Sequence, residues 1–145
     1  MKKLLFVLLF SFLSYGAMAQ SAGSVQVRNY TNCWVYYSIM GGPGCGFSVT
    51  SNVIALAPGG SIYYPNAASI PGFPPGPNNI NAGNFYYKPL SCTNIQVWRV
   101  GIACTGMLGA YTYPLYGSNC ALCANVTASW NPPGTPGGTA VYAFN

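Results

Sequence analysis

The chain contains no aspartate, no glutamate and no histidine, and charged side chains make up only 3% of it. Soluble domains are on average about 25% charged, so this composition is selected rather than a fluctuation. Each absence removes a class of chemistry. Without carboxylates there is no acid–base pair to hydrolyse a glycoside, and without histidine no Ser–His–Asp triad can be assembled. Hard cations lose their oxygen cage and zinc its imidazoles, so no metal site and no cofactor is expected. Beyond Gln20 the only charged side chains are Arg28, Lys88 and Arg99. They are too few and too scattered to release many counterions, so nucleic acid is not an expected partner. An enzyme would have to work through Lys88 or a serine. Lys88 stands beside a proline in "NFYYKPL" and reads better as a solvated surface charge. The chain is therefore read as non-enzymatic. Disorder does not explain the missing charge, because disordered chains are poor in apolar residues and 51% of this one is hydrophobic.

The first residues read as a secretory signal peptide. Lys2 and Lys3 precede an apolar run from Leu4 to Leu13, broken only by Ser11, and Ala17-Met18-Ala19 supplies the cleavage pattern. Removal of residues 1–19 leaves 145 − 19 = 126 residues, a length suited to one domain, 20–145. No later apolar stretch is long enough to span a bilayer, so no transmembrane segment is expected. The expected location is extracellular or at the cell surface, or the periplasm if the source is bacterial.

Beyond the leader the sequence alternates short β-prone runs with clusters of Gly, Pro, Asn and Ser. "SVQVRNY" places Val25 and Val27 on one face, with Gln26 and Arg28 on the other. "CWVYYSIM" is apolar on both faces and is expected to be a central strand; the alternative is an edge strand used for self-assembly. "FSVTSNVIALA" is one bent strand or two, and "SIYYP" another. Residues 65–84 read as a long Pro/Gly/Asn-rich loop. "NIQVWRVGI" sets Ile95, Val97 and Arg99 against Gln96, Trp98 and Val100, while "MLGAYTYPLYG" reads as an edge strand around Pro114. "NVTASW" and "TAVYAFN" complete a terminal hairpin. About seven or more such strands, with no helical periodicity, predict an all-β, disulfide-stapled β-sandwich, with a β-barrel as the alternative.

The six cysteines, Cys33, Cys45, Cys92, Cys104, Cys120 and Cys123, all follow the leader, so disulfides are the default. Residues 95–102, if extended, cover roughly 25 Å at about 3.3 Å per residue, too far for Cys92 to reach Cys104. The same argument disfavours Cys33–Cys45. Cys120-x-x-Cys123 lacks the helix N-terminus or neighbouring cation that would activate a thiolate. It is expected to be structural, either as its own pair or by lending one sulfur to Cys45 or Cys104.

Tyrosine is abundant, with twelve in the chain. In adjacent pairs on a strand one ring points in and the other out, which makes Tyr63, Tyr64, Tyr86 and Tyr87, with Phe73 in the loop between them, a candidate contact surface. Trp34, Trp98 and Trp130 are expected in the core. Asn29-Tyr30-Thr31 and Asn125-Val126-Thr127 match the N-glycosylation pattern. "VQVRNYTNCWVYYSI" followed by "IALAPGGSIYY" is similar in rhythm to the opening hairpins of thaumatin-like proteins. The dense cysteine framework and acidic cleft of that family are absent, so the resemblance implies no activity here. The composition as a whole indicates a secreted protein that acts by contact: a surface, matrix or adhesion component, or a module for a neutral ligand such as a glycan. Its expected partner is an extracellular protein or glycan. A small secreted toxin or antimicrobial effector is the alternative.

A chain without acidic or imidazole side chains has almost nothing to titrate between roughly pH 2 and 8 except its termini. Native and unfolded states should bind equal numbers of protons across that window, so the slope of stability with pH should be near zero. Denaturant midpoints of the oxidised protein at pH 3, 5 and 7 and fixed ionic strength should coincide. A loss of more than about 1 kcal/mol at pH 3 would overturn the argument.

Overall fold

A computed structural model describes residues 21–76, 78–94 and 96–145. The leader and Ile95 lie outside the described residues. The described residues form ten strands: β1 (Ser24–Asn29), β2 (Val35–Gly42), β3 (Val49–Thr50), β4 (Ile54–Leu56), β5 (Ser61–Tyr64), β6 (Asn79–Tyr86), β7 (Val97–Gly101), β8 (Ala110–Tyr116), β9 (Leu122–Asn131) and β10 (Thr139–Phe144). Two short 3₁₀ turns, Ala67–Ser69 and Ala103–Thr105, interrupt the connections. The strands make two five-stranded sheets, one ordered β5-β1-β10-β9-β8, the other β3-β2-β6-β7 with β4 also paired to β2. The fold is thus an all-β sandwich stapled by disulfides, and neither sheet closes into a barrel.

Alternation along each strand decides what enters the space between the sheets. Val25 and Val27 of β1, Tyr142 and Phe144 of β10, Val126 of β9 and Leu115 of β8 are fully buried. Facing them are Val35, Tyr37 and Ile39 of β2, Phe85 of β6 and Val100 of β7, all likewise buried. β1 lies parallel to β10, with Val27 opposite Tyr142, and β9 and β10 form the terminal hairpin. β2 is central, with β6 on one side and β3 and β4 on the other, so it is not an edge available for self-assembly.

One expectation fails at β6. The loop predicted over 65–84 ends before Asn79, and "NINAGNFY" is an eight-residue strand between β2 and β7. Its loop-like residues each answer a tertiary demand. Gly83 leaves room for Tyr142 of the opposite sheet: a Cβ there would sit 2.3 Å from the ring. Asn81 donates from Nδ2 to the carbonyls of Gly44 and Gly46, at 2.9 and 2.7 Å, and Asn84 donates to Ser38 Oγ at 3.0 Å. The side-chain amides thus fix the turn after β2 and a cross-strand contact.

The tryptophans divide. Trp130 is buried as expected, whereas Trp34 and Trp98 are 52% and 41% exposed. Trp34 alternates with the buried Cys33 and Val35 and so turns to the outer face, and Trp98 belongs to an edge strand.

Asn29 is 1% exposed. Its Nδ2 donates to the carbonyl of Cys33 at 2.7 Å and of Ala57 at 3.0 Å, and its Oδ1 accepts from Thr31 Oγ1 at 2.7 Å. That amide is committed to the fold, so the first glycosylation pattern is a structural turn. Asn125 is exposed.

Three tyrosines lie deep in the sandwich. Burial pushes the phenols of Tyr37, Tyr113 and Tyr142 well above their ordinary value of 10.0, and the Tyr64 hydroxyl 3.2 Å from that of Tyr37 adds to the shift there. Below pH 10 their contribution to stability is fully present. Above it the unfolded chain releases three protons that the native chain retains, so stability falls as pH rises. Each phenol contributes about 1.4 kcal/mol per pH unit, roughly 4 kcal/mol per unit together. The denaturant midpoint should therefore drop steeply from pH 10 upward. Tyrosinate absorbance from these three rings should appear only as circular dichroism reports unfolding; ionisation of all eleven tyrosines beyond Gln20 in a folded chain would contradict this.

Candidate functional site

At the side of the sandwich where β7 and β8 form the free edges of their sheets, a cleft of about 290 Å³ opens between them. Its aromatic lining follows from strand alternation. Tyr111 and Tyr113 project from β8 toward the other sheet, while Thr112 and Pro114 between them turn outward and form the lip. Trp98 projects from β7 and stacks on Tyr111, with ring centroids 4.7 Å apart and planes 16° from parallel. Behind it Phe85 stacks on Tyr113 at 3.9 Å and 21°. The first stack is half open to solvent; the second is core.

The other end of the cleft depends on a register break. β8 slips against β9 between Leu115 and Tyr116, which interrupts the alternation there. The Tyr116 amide donates to the carbonyl of Tyr87 at 2.7 Å, and the two rings lie 5.9 Å apart. Lys88 places its ammonium 4.9 Å from the centre of the Tyr116 ring and 5.7 Å from that of Tyr87, a geometry in which the ring faces attract the charge. Gln96 completes the lining.

Two disulfides anchor this end. Cys92 bonds Cys120 and Cys33 bonds Cys123, while Cys45 bonds Cys104 at the far side of β7, with Cα separations of 5.8, 6.2 and 5.8 Å. All six cysteines are paired. The Cys-x-x-Cys is structural, but it neither pairs with itself nor reaches Cys45 or Cys104. Cys120 closes its turn in the left-handed region (φ 60°), whereas Cys123 already lies in β9, so the two sulfurs leave for different partners. The turn after Lys88, in which the Cys92 amide bonds the Pro89 carbonyl, is thereby tied to the turn at Gly117–Cys120.

The five aromatic residues predicted as a contact surface are dispersed. Tyr87 lines the cleft. Tyr63 is 56% exposed but sits on β5, the opposite edge of its sheet. Tyr64 turns inward to meet Tyr37, and Phe73 is buried against Gly41, whose missing Cβ makes room for the ring. Tyr86 is half-buried on the outer face, opposite Tyr36. The residues that do converge, Trp98, Tyr111, Tyr113, Tyr116 and Lys88, were assigned by sequence to the core, an edge strand or bulk solvent. The alternation of "AYTYPLY" was the available signal; what it lacked was the facing Trp98.

Behind the Trp98–Tyr111 stack one buried hydroxyl has no protein partner. Tyr113 is 4% exposed, yet its Oη makes no hydrogen bond. Buried polar groups are almost always paired, and leaving one unpaired costs about 1–3 kcal/mol. Family models, characterised proteins and solved structures yield no match to this chain, so the geometry itself carries the functional argument.

The buried Tyr113 hydroxyl gains no hydrogen bond from the fold, so deleting it should not destabilise. Tyr113→Phe should leave the denaturant midpoint unchanged or raise stability by about 1 kcal/mol. Tyr142→Phe, which removes a 2.9 Å hydrogen bond to the Asn84 carbonyl, should lower it by a similar amount. Equal losses in both variants would assign the Tyr113 hydroxyl to the fold.

Proposed function

We propose that this is a secreted, non-catalytic protein that acts by contact and binds a glycan ring in the cleft between β7 and β8. The observation that carries the reading is the half-exposed Trp98–Tyr111 stack, a flat apolar platform at the mouth of the cleft. A sugar ring has the matching character, with an apolar C–H face to lie on an aromatic surface and hydroxyls around its rim for Gln96. Small-ligand sites combine such apolar walls with a few fixed polar groups, and the cleft's volume is at the small end of their range.

Other readings have less support. Pro114 stands on the free edge of β8 and has no N–H to donate, which handicaps any peptide that would extend the sheet. Among the described residues the lining of the cleft includes Lys88 but no serine, so a Ser–Lys pair has no geometry there. Three disulfides with no free cysteine suit the oxidising exterior that the leader implies. Among the described residues no helix is long and apolar enough to cross a membrane.

The test is a glycan array followed by calorimetry on the best ligand. Trp98→Ala should weaken binding by about tenfold or more, the loss that follows from about 1–3 kcal/mol of aromatic stacking, while the thermal midpoint stays near that of the parent. The ligand should be recovered intact after prolonged incubation. Undiminished binding by Trp98→Ala, or cleavage of the ligand, would refute the reading.

A further inference from the structure

We infer that the sugar taken by the cleft carries an anionic substituent, a carboxylate or sulfate ester, which pairs with Lys88. The inference rests on the glycan reading and adds the charge to it. Lys88 is one of three charged side chains beyond Gln20, and it stands at a cleft whose other polar groups, Gln96, Thr112 and the tyrosine hydroxyls, are all neutral. Neutral sugar hydroxyls need nothing more than those groups.

The chain has no carboxylate side chain anywhere, so no internal ion pair on another side chain can satisfy the ammonium. It is held by the faces of the Tyr87 and Tyr116 rings, and π faces take none of its three N–H donors in a directed hydrogen bond. Those donors are left for solvent or for a ligand. The platform beneath it is braced as well: the Tyr116–Tyr87 backbone hydrogen bond and the Cys92–Cys120 disulfide tie together the two segments that carry the rings. A pre-placed cation with free donors favours an anion, because charge-assisted hydrogen bonds are about twice as strong as neutral ones. A single cation offers too little to a nucleic-acid backbone, which needs several phosphate contacts for useful affinity. Confined beside a stacking platform, it suits one acidic group on one ring.

Matched ligands separate the charge from the ring. Calorimetric titrations would compare an oligogalacturonate with its methyl ester, and a sulfated galactan oligosaccharide with its desulfated form, with polyglutamate as a non-sugar anion. In at least one pair the charged member should bind about tenfold tighter than its neutral match, less so at high salt. Which pair shows the preference identifies carboxylate or sulfate. Lys88→Gln should remove the preference while keeping the weaker neutral binding, which also shows that the variant is folded; Trp98→Ala should weaken both members. Equal binding within both pairs, or a preference surviving in Lys88→Gln, overturns the anionic inference and leaves the glycan reading standing. Polyglutamate binding as tightly as the acidic sugar overturns it in favour of an acidic polypeptide. Failure of every oligosaccharide to bind overturns both.

Discussion

The ring of Tyr142 occupies the space that a side chain at position 83 would need, and the sandwich is organised around that fit. The ring crosses from β10 to β6, where its hydroxyl donates to the Asn84 carbonyl at 2.9 Å. Tyr37 meets it edge-on at 5.9 Å, with Phe144 at 4.7 Å and Trp130 at 5.6 Å. A chain with no acidic side chains cannot tie its sheets together by ion pairs. Aromatic rings are the substitute, since each buries a large apolar area and adds an orientation preference worth about 0.5–1.5 kcal/mol per pair. The series continues outward through Phe85–Tyr113 to Trp98–Tyr111, where the cover of the second sheet runs out. The cleft is therefore the exposed end of the same aromatic seam that holds the core.

The disulfides act where that seam is weakest. Their sequence separations are 90, 59 and 28 residues, and each ties a turn to a strand or to another turn. Loop-closure entropy favours the longest of these over the shortest by only about 1 kcal/mol, so all three should restrict the unfolded chain comparably. What differs is location. Cys45–Cys104 secures the turn after β2, which Asn81 also holds. The other two converge near the Tyr87–Tyr116 end of the cleft through Cys120 and Cys123. A binding surface on loops gains precision when the loops cannot move, and here covalent bonds supply the rigidity that strands supply on the Trp98–Tyr111 side.

Much of the fold was legible because a period of two is a local property. Val25 and Val27 against Gln26 and Arg28, the doubly apolar β2, and the edge position of Pro114 could each be read from a few neighbouring residues. β6 was not legible. Gly83 and the asparagines at 79, 81 and 84 have turn-forming propensities, and their reasons for being in a strand lie far away, in the Tyr142 ring and the carbonyls of Gly44 and Gly46. Trp98 failed for a related reason. Its alternation was read correctly, since it shares the inward face with Val100, but facing inward on an edge strand leads to a rim rather than a core. The cysteine pairing required knowing that Cys120 belongs to a turn and Cys123 to a strand, a boundary set by hydrogen bonds to Gly117.

The missing charges give the site its character as well as the fold. In an ordinary domain a surface lysine has many carboxylates within a Debye length, and its field is largely cancelled. Here nothing of opposite sign is supplied by any side chain, so each cation is screened only by solvent ions. Arg28 is engaged locally, donating to Tyr30 Oη at 2.9 Å and to Gln26 Oε1 at 2.6 Å on the outer face of β1. Lys88 instead rests on two rings at the mouth of a cleft, where field and shape coincide. The same depletion of titratable groups that makes the fold indifferent to acid makes one ammonium the dominant charge at its candidate site. Both properties have one compositional cause: removing the acids frees the structure from acid denaturation and leaves Lys88 without a carboxylate side chain to pair with.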